Sequence, residues 1–207
     1  MNLDELLNLK FNPIHEQMKL YAKDNNVPII QDSGLAFLET IIKLKRPKKI
    51  LEIGTAIGYS ATRMAMVENS MVITIERDNN MYNEALKNIS LLGLNDLVKV
   101  IYKDALEAYD DVKDNAFDMI FIDAAKGQYI NFFNLYSPLL KEDGIIVCDN
   151  MLFHGLVMDD SIVKSRSLRG LIRKLKNCHE FLLNHPNYDT SIFDIGDGMS
   201  VSVKKNR

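Results

Sequence analysis

The feature that most constrains this chain is residues 48–60, Lys-Lys-Ile-Leu-Glu-Ile-Gly-Thr-Ala-Ile-Gly-Tyr-Ser. An aliphatic run meets one glycine, and a second glycine four residues on precedes a helical pattern. The segment therefore predicts a strand, a tight turn and a helix start. Gly54 permits the turn. Gly58 lets a ligand approach the free N–H groups of the helix, which favour an anionic group. Thr55, in the turn, is expected to contact the bound ligand with it, and Ser60, in the first helical turn, is placed to hydrogen-bond a carboxylate. The spacing Glu-x-Gly-x-x-x-Gly differs from the Gly-x-Gly-x-x-Gly of dinucleotide folds.

Around this turn, strand-like runs over 49–54, 71–76, 98–104, 117–124 and 144–150 alternate with helical patterns over 59–67, 79–92 and 130–140. Repeated βαβ units of this kind predict a parallel sheet covered by helices on both faces. Residues 13–45 read as two helices, the second capped by Asp32-Ser33 and ending near Arg46-Pro47. Residues 188–205 predict an antiparallel hairpin through Gly196-Asp197-Gly198. No repeat or linker interrupts the 207 residues, which read as one domain (1–207) with a helical N-terminal extension over 1–46.

Composition narrows the function classes. Hydrophobic residues make up 47% and charged residues 26%, ordinary values for a soluble globular chain. A net charge of −3 means that any nucleic-acid partner must be met by a local basic patch. The apolar runs are strand-length, so no membrane span is expected, and no export signal opens the chain. The two cysteines, Cys148 and Cys178, fit reduced, buried thiols and a cytoplasmic location.

Acids fall near four consecutive strand ends: Glu52, Glu76, Asp104 and Asp123. In open α/β sheets that edge binds ligands. Glu76, about twenty residues past the glycine turn, can take ribose hydroxyls. Asp104 can meet an adenine amine, and Ala105 leaves room for a ring. Singly, each acid reads as well as a helix cap or a solvated loop residue; together they point to a nucleoside-like ligand. Two further groups lie on the same edge, Asp123-Ala124-Ala125-Lys126 and Asp149-Asn150. Two carboxylates and an amide oxygen suit a hard divalent cation such as Mg²⁺. Lys126 is placed to accept a hydroxyl proton. Taken alone, Lys126 reads as a surface lysine and Asp149-Asn150 as turn chemistry.

These residues carry a resemblance. Leu51-Glu52-Ile53-Gly54 with Gly58-Tyr59-Ser60, Ile122-Asp123 with Lys126 and Tyr129, Asp149-Asn150, and Gly196-Asp197-Gly198 resemble the cation-dependent O-methyltransferases, which include catechol and caffeoyl-CoA O-methyltransferases. The resemblance implies a class I, Rossmann-like methyltransferase fold with a mostly parallel seven-stranded sheet. It implies that Glu52, Gly54, Ser60, Glu76 and Ala105 bind S-adenosylmethionine, with Ile30 lining the cofactor. It further implies that Asp123, Asp149 and Asn150 hold the metal, that Lys126 is the general base, and that the chain forms a homodimer. Within that family, residues 48–61, 121–129 with 131–133, 152–157 and 184–186 resemble the bacterial branch that methylates 5-hydroxyuridine at the tRNA wobble position.

Residues 164–176 supply six basic side chains and no acid. At helical spacing Arg166, Arg169, Arg173 and Lys176 form one stripe beside an apolar face. Such a stripe suits the phosphates of an anticodon loop, with Phe153 or Tyr129 as the ring that stacks on a splayed base; it equally suits a solvated helix face. His154 reads at most as pocket lining, and His15, His179 and His185 as structural. Three readings follow: a tRNA-modifying enzyme, an O-methyltransferase for catechol-like phenols, and a cofactor-binding regulator without turnover. The intact Asp123, Lys126, Asp149 and Asn150 set speaks against the third.

Overall fold

A computed structural model describes residues 6–159, 161 and 163–205. Its elements run α1 (Pro13–Asp24), α2 (Asp32–Lys45), β1 (Lys49–Ile53), α3 (Tyr59–Glu68), β2 (Met71–Glu76), α4 (Asn79–Leu91) and β3 (Val98–Tyr102). Then come α5 (Tyr109–Val112), β4 (Phe117–Ile122), α6 (Tyr129–Tyr136), β5 (Leu140–Cys148), α7 (Arg166–Leu183), β6 (Tyr188–Phe193) and β7 (Met199–Lys204). The sheet order is β3-β2-β1-β4-β5-β7-β6. Strands β1 to β5 pair in parallel, and β7 runs antiparallel to both β5 and β6. The expected mostly parallel seven-stranded sheet with a closing hairpin is what the chain forms.

Strand alternation decides which helices cover which face. Ile50 and Val72, with Met119, Phe121, Ile145 and Val147, pack under α1 to α4. Leu51, Ile53, Ile73, Ile75, Ile120, Ile122 and Ile146 face α6 and α7. Each of these side chains loses water contact on burial, a gain of roughly 2 kcal/mol apiece. The helices read as an N-terminal extension are part of this core: Met18, Ala22, Leu35, Leu38 and Ile42 sit in the same cluster as β1. Residues 1–5 of that extension lie outside the described residues.

Three local expectations change. Asp32 is the first helical residue of α2 rather than its cap. Gln31 occupies the cap position without a side-chain hydrogen bond, and Asp32 instead pairs with Lys19 of α1 at 2.8 Å. The helix expected over 130–140 begins at Tyr129 and ends at Tyr136. A 3₁₀ turn through Ser137–Leu139 follows because Pro138 has no N–H to continue the ladder. Strand β5 starts at Leu140, four residues before the expected Gly144, across a register shift between Phe117 and Met119. The C-terminus of α2 follows expectation, with Arg46 left-handed at φ 50° and its N–H on the Ile42 carbonyl.

Candidate active site

Strand order reverses between β1 and β4, and a deep cleft opens at their carboxyl ends. Its floor is the glycine turn. Gly54 has φ +100°, and a Cβ there would lie 2.0 Å from the Asp123 carbonyl oxygen. Gly58, at φ +81°, is the N-cap of α3. The cleft encloses about 280 Å³ and is lined from every strand end that the acids mark. Ile30, Gly54, Thr55, Ser60, Glu76, Asp104, Ala105, Asp123, Lys126 and Asn150 all contribute to it.

Their interactions are specific. Glu76 accepts the Ala56 N–H on one oxygen and the Arg77 and Asp78 N–H groups on the other, each at 2.8 Å. Asp104 accepts the Leu106 N–H at 2.9 Å and pairs with Arg77 at 3.1 Å. Tyr136 donates its hydroxyl to the Ala105 carbonyl at 2.5 Å, fixing the small residue against the cleft. Ala56, Tyr59, Arg77 and Phe132 also line the cleft. Sequence reasoning missed them because Ala56 and Arg77 act through the backbone and through an ion pair, and the rings read as core.

Glu52 stands apart. It is fully buried and lies beneath the turn rather than on the cleft wall. Ser60 Oγ and Thr74 Oγ1 donate to its two oxygens, each at 2.5 Å, and Thr74 also bonds Thr55 at 2.6 Å. Burial pushes its carboxyl up to about 8, against the pull of the two hydroxyls. In this arrangement Glu52 orients Ser60 and Thr55, and those two present themselves to the cleft.

At the β4 and β5 ends, Lys126 Nζ donates to Asn150 Oδ1 at 2.7 Å. Asn150 is left-handed at φ 58° and its N–H donates to Asp149 Oδ1 at 2.6 Å. Asp149 is buried, and Tyr129 donates its hydroxyl to the Asp149 carbonyl at 3.0 Å. Burial raises the carboxyl pKa of both Asp123 and Asp149, and the Asp197 charge raises both further; the Asp123 charge adds to the rise at Asp149. A half-buried carboxylate, Asp123, close enough for its charge to act on the buried Asp149, with the Asn150 amide next in the chain, fits a hard cation, which relieves the charge the two acids cannot easily hold alone. Among the described residues no three His, Cys, Asp or Glu side chains converge as a metal cluster, so the candidate set is two carboxylates and one amide.

The stacking role expected for Tyr129 and the pocket-lining role expected for His154 are corrected. Tyr129 is buried and tied to Asp149, so it cannot stack on an incoming base. Phe153 is partly exposed and sits 5.6 Å from Lys126 Nζ, where a ring can meet a substrate. His154 is largely exposed and lies off the cleft wall. His15 is buried, His179 bonds the Met151 carbonyl, and His185 packs among Phe133, Phe181 and Tyr188. Cys148 and Cys178 are free and buried.

Helix α7 carries the basic stripe. Ile172, Leu175, Cys178 and Leu182 are buried, and Arg166, Arg169, Arg173 and Lys176 are exposed. The helix lies against the 126–128 turn: a Cβ on Gly127 would be 3.3 Å from Lys174 Nζ. Among the described residues no helix is long and apolar enough to cross a membrane.

A doubly wound sheet, a glycine turn at the switch point and acids on successive strand ends define a Rossmann-like protein with a nucleoside-type cleft. Residues 12–205 match the O-methyltransferase family, and the chain belongs to it. It is 30% identical over 205 residues to a caffeoyl-CoA O-methyltransferase of Populus kitakamiensis, covering 90% of this chain and 86% of that one. It is 29% identical over 206 residues to a flavonoid 3',5'-methyltransferase of Vitis vinifera, with 90% and 86% covered. Among solved structures, a Staphylococcus aureus chain described as a candidate caffeoyl-CoA O-methyltransferase superposes with a TM-score of 0.92 at 39% identity. That match covers 98% of this chain and 97% of the other.

Proposed function

We propose that this chain transfers the methyl group of S-adenosylmethionine to a hydroxyl oxygen with the help of a divalent cation, and that its acceptor is 5-hydroxyuridine at the wobble position of tRNA. The observation that carries the reaction class is the convergence at one strand edge of the Gly54 turn, Asp123, and the Lys126–Asn150 pair.

The cofactor's nucleoside end fits Glu76, Asp104 and Ala105, and its amino-acid end fits the turn with Thr55 and Ser60. Ile30 closes the cleft from the N-terminal side. S-Adenosylmethionine, when bound, supplies an electrophilic methyl group. Asp123, Asp149 and Asn150 would hold Mg²⁺ or a similar cation, which favours the ionised form of an acceptor hydroxyl. Lys126 accepts the hydroxyl proton at Nζ, and Asn150 holds that nitrogen in place. Phe153 flanks Lys126 and limits water at the acceptor.

The acceptor assignment rests on α7. Its exposed arginines suit phosphates, and the helix lies against the turn that bears Lys126. In 5-hydroxyuridine the C5 hydroxyl neighbours the C4 carbonyl, so the base offers two adjacent oxygens as a catechol does. A second reading, a small phenolic acceptor, is favoured by the names of the Populus and Vitis relatives. We also read the chain as a cytoplasmic homodimer and a single domain. Labelled S-adenosylmethionine, Mg²⁺ and tRNA bearing 5-hydroxyuridine, run beside a catechol panel, separate the two acceptors. Transfer to tRNA is expected; transfer to catechols alone would establish the second reading.

A further inference from the structure

The hairpin turn between β6 and β7 does more than close the sheet. The chain after Asn150 reverses sharply, and Phe153, His154 and Gly155 take φ values of 47°, 55° and 77°. Three successive left-handed residues, two of them bearing side chains, are costly and persist only where neighbours hold them. The neighbour is the Gly196–Asp197–Gly198 turn. Met151 donates its N–H to the Gly198 carbonyl at 2.9 Å, and Leu152 donates to the Asp197 carbonyl at 2.8 Å. The Asp197 carboxylate, itself buried, accepts the His154 N–H in a short bond.

The same turn is packed tightly on both sides. A Cβ on Gly198 would lie 2.6 Å from the Leu152 nitrogen, and one on Gly196 would lie 3.3 Å from Gly34 at the start of α2. Gly34 in turn backs on Ile30, whose Cγ1 is 3.2 Å from where a Gly34 Cβ would be. One turn thus braces the loop that follows Asn150 and the wall that carries Ile30.

We infer that Asp197 is a positioning residue for methyl transfer, acting through the His154 N–H to fix the loop that presents Asn150 and Phe153. This rests on the reading that Asn150 belongs to the reaction centre. What the bond requires is an acceptor oxygen rather than a charge, because a backbone amide is the donor. Asn retains that oxygen and Ala removes it.

The test compares Asp197→Ala with Asp197→Asn in the full chain. Three quantities are measured: the His154 amide resonance by ¹⁵N-edited NMR, the affinity for S-adenosylhomocysteine, and kcat/KM for 5-hydroxyuridine-containing tRNA and for a catechol. In Asp197→Ala the His154 amide is expected to move upfield and kcat/KM to fall at least tenfold, with affinity for S-adenosylhomocysteine changed less than twofold. Asp197→Asn is expected to restore the amide position and most of the rate. Should Asp197→Ala fold poorly, Asp197→Ser, which keeps a small polar group there but withdraws the carboxylate from the His154 N–H, is expected to lower kcat/KM with cofactor affinity kept. An unmoved His154 amide in Asp197→Ala, an unchanged rate in Asp197→Ala or Asp197→Ser, or an Asp197→Asn as inactive as Asp197→Ala would overturn the proposal. If the wild-type chain methylates neither acceptor, the reading of the site fails instead, and the amide shift still decides whether Asp197 holds the loop.

Discussion

The carbonyl oxygen of Asp123 fills the space that a side chain on Gly54 would need, at 2.0 Å from the position of its Cβ. The contact joins the ends of β1 and β4 at the point where strand order reverses, and both residues line the cleft.

Gly54→Ala is therefore expected to damage fold and cleft together. The new methyl meets backbone rather than a side chain that could swing away, and φ +100° is itself strained for alanine. Unfolding stability is expected to drop by about 3 kcal/mol, read by urea titration, and binding of S-adenosylhomocysteine should be lost in calorimetry.

Glu52 gives the site a pH signature. Its carboxyl sits near 8 in the folded chain against an ordinary value of 4.5. Between those values the folded state holds a proton that the unfolded state has released. Stability contributed at this residue therefore falls as pH rises from 4.5 towards 8, by an amount on the order of 4 kcal/mol. Glu52→Gln keeps an acceptor for Ser60 or Thr74 and cannot ionise. Relative to wild type it is expected to gain stability steadily across that window, measured by chemical denaturation at pH 5, 6.5 and 8 in the absence of cofactor.

His15 works in the opposite direction. Burial, and then the Arg63 charge, lower its pKa from 6.5 to about 4, and its Nε2 meets Thr62 Oγ1 at 3.2 Å. Below pH 6.5 the unfolded chain takes up a proton that the folded chain refuses, so acidification towards pH 4 costs on the order of 3 kcal/mol. His15→Gln is expected to flatten the fall in melting temperature between pH 6.5 and 4. An unchanged slope would remove His15 from the account.

The double reversal Arg169→Glu with Arg173→Glu addresses the basic helix. Both side chains are exposed on α7. Affinity for tRNA should weaken at least tenfold, and the salt dependence of log Kd should lose about two phosphate contacts. Binding of S-adenosylhomocysteine and turnover of a catechol should stay as they were.

How much of this was legible beforehand divides along physical lines. That Gly54, Glu76, Asp104, Asp123 and Asn150 lie along one cleft is readable because strand ends are set by local patterns, and a parallel sheet brings successive ends to one edge. What failed depended on partners distant in sequence. Asp32 reads as a helix cap until Lys19 of another helix engages it. Tyr129 reads as a free ring until its hydroxyl meets the Asp149 carbonyl, 20 residues away. Glu52 reads as a ligand contact until Ser60 and Thr74 enclose it. The Arg77–Asp104 pair and the Asp197–His154 bond likewise join residues that no periodicity relates.

The most direct test of the proposed chemistry is single-turnover transfer of labelled methyl to 5-hydroxyuridine-containing tRNA, with Mg²⁺, with excess chelator, and with Mg²⁺ restored. Wild-type transfer is expected to fall at least a hundredfold under chelation and to return with the cation, while Asp149→Ala stays inactive in all three conditions. Full transfer in excess chelator would contradict the account.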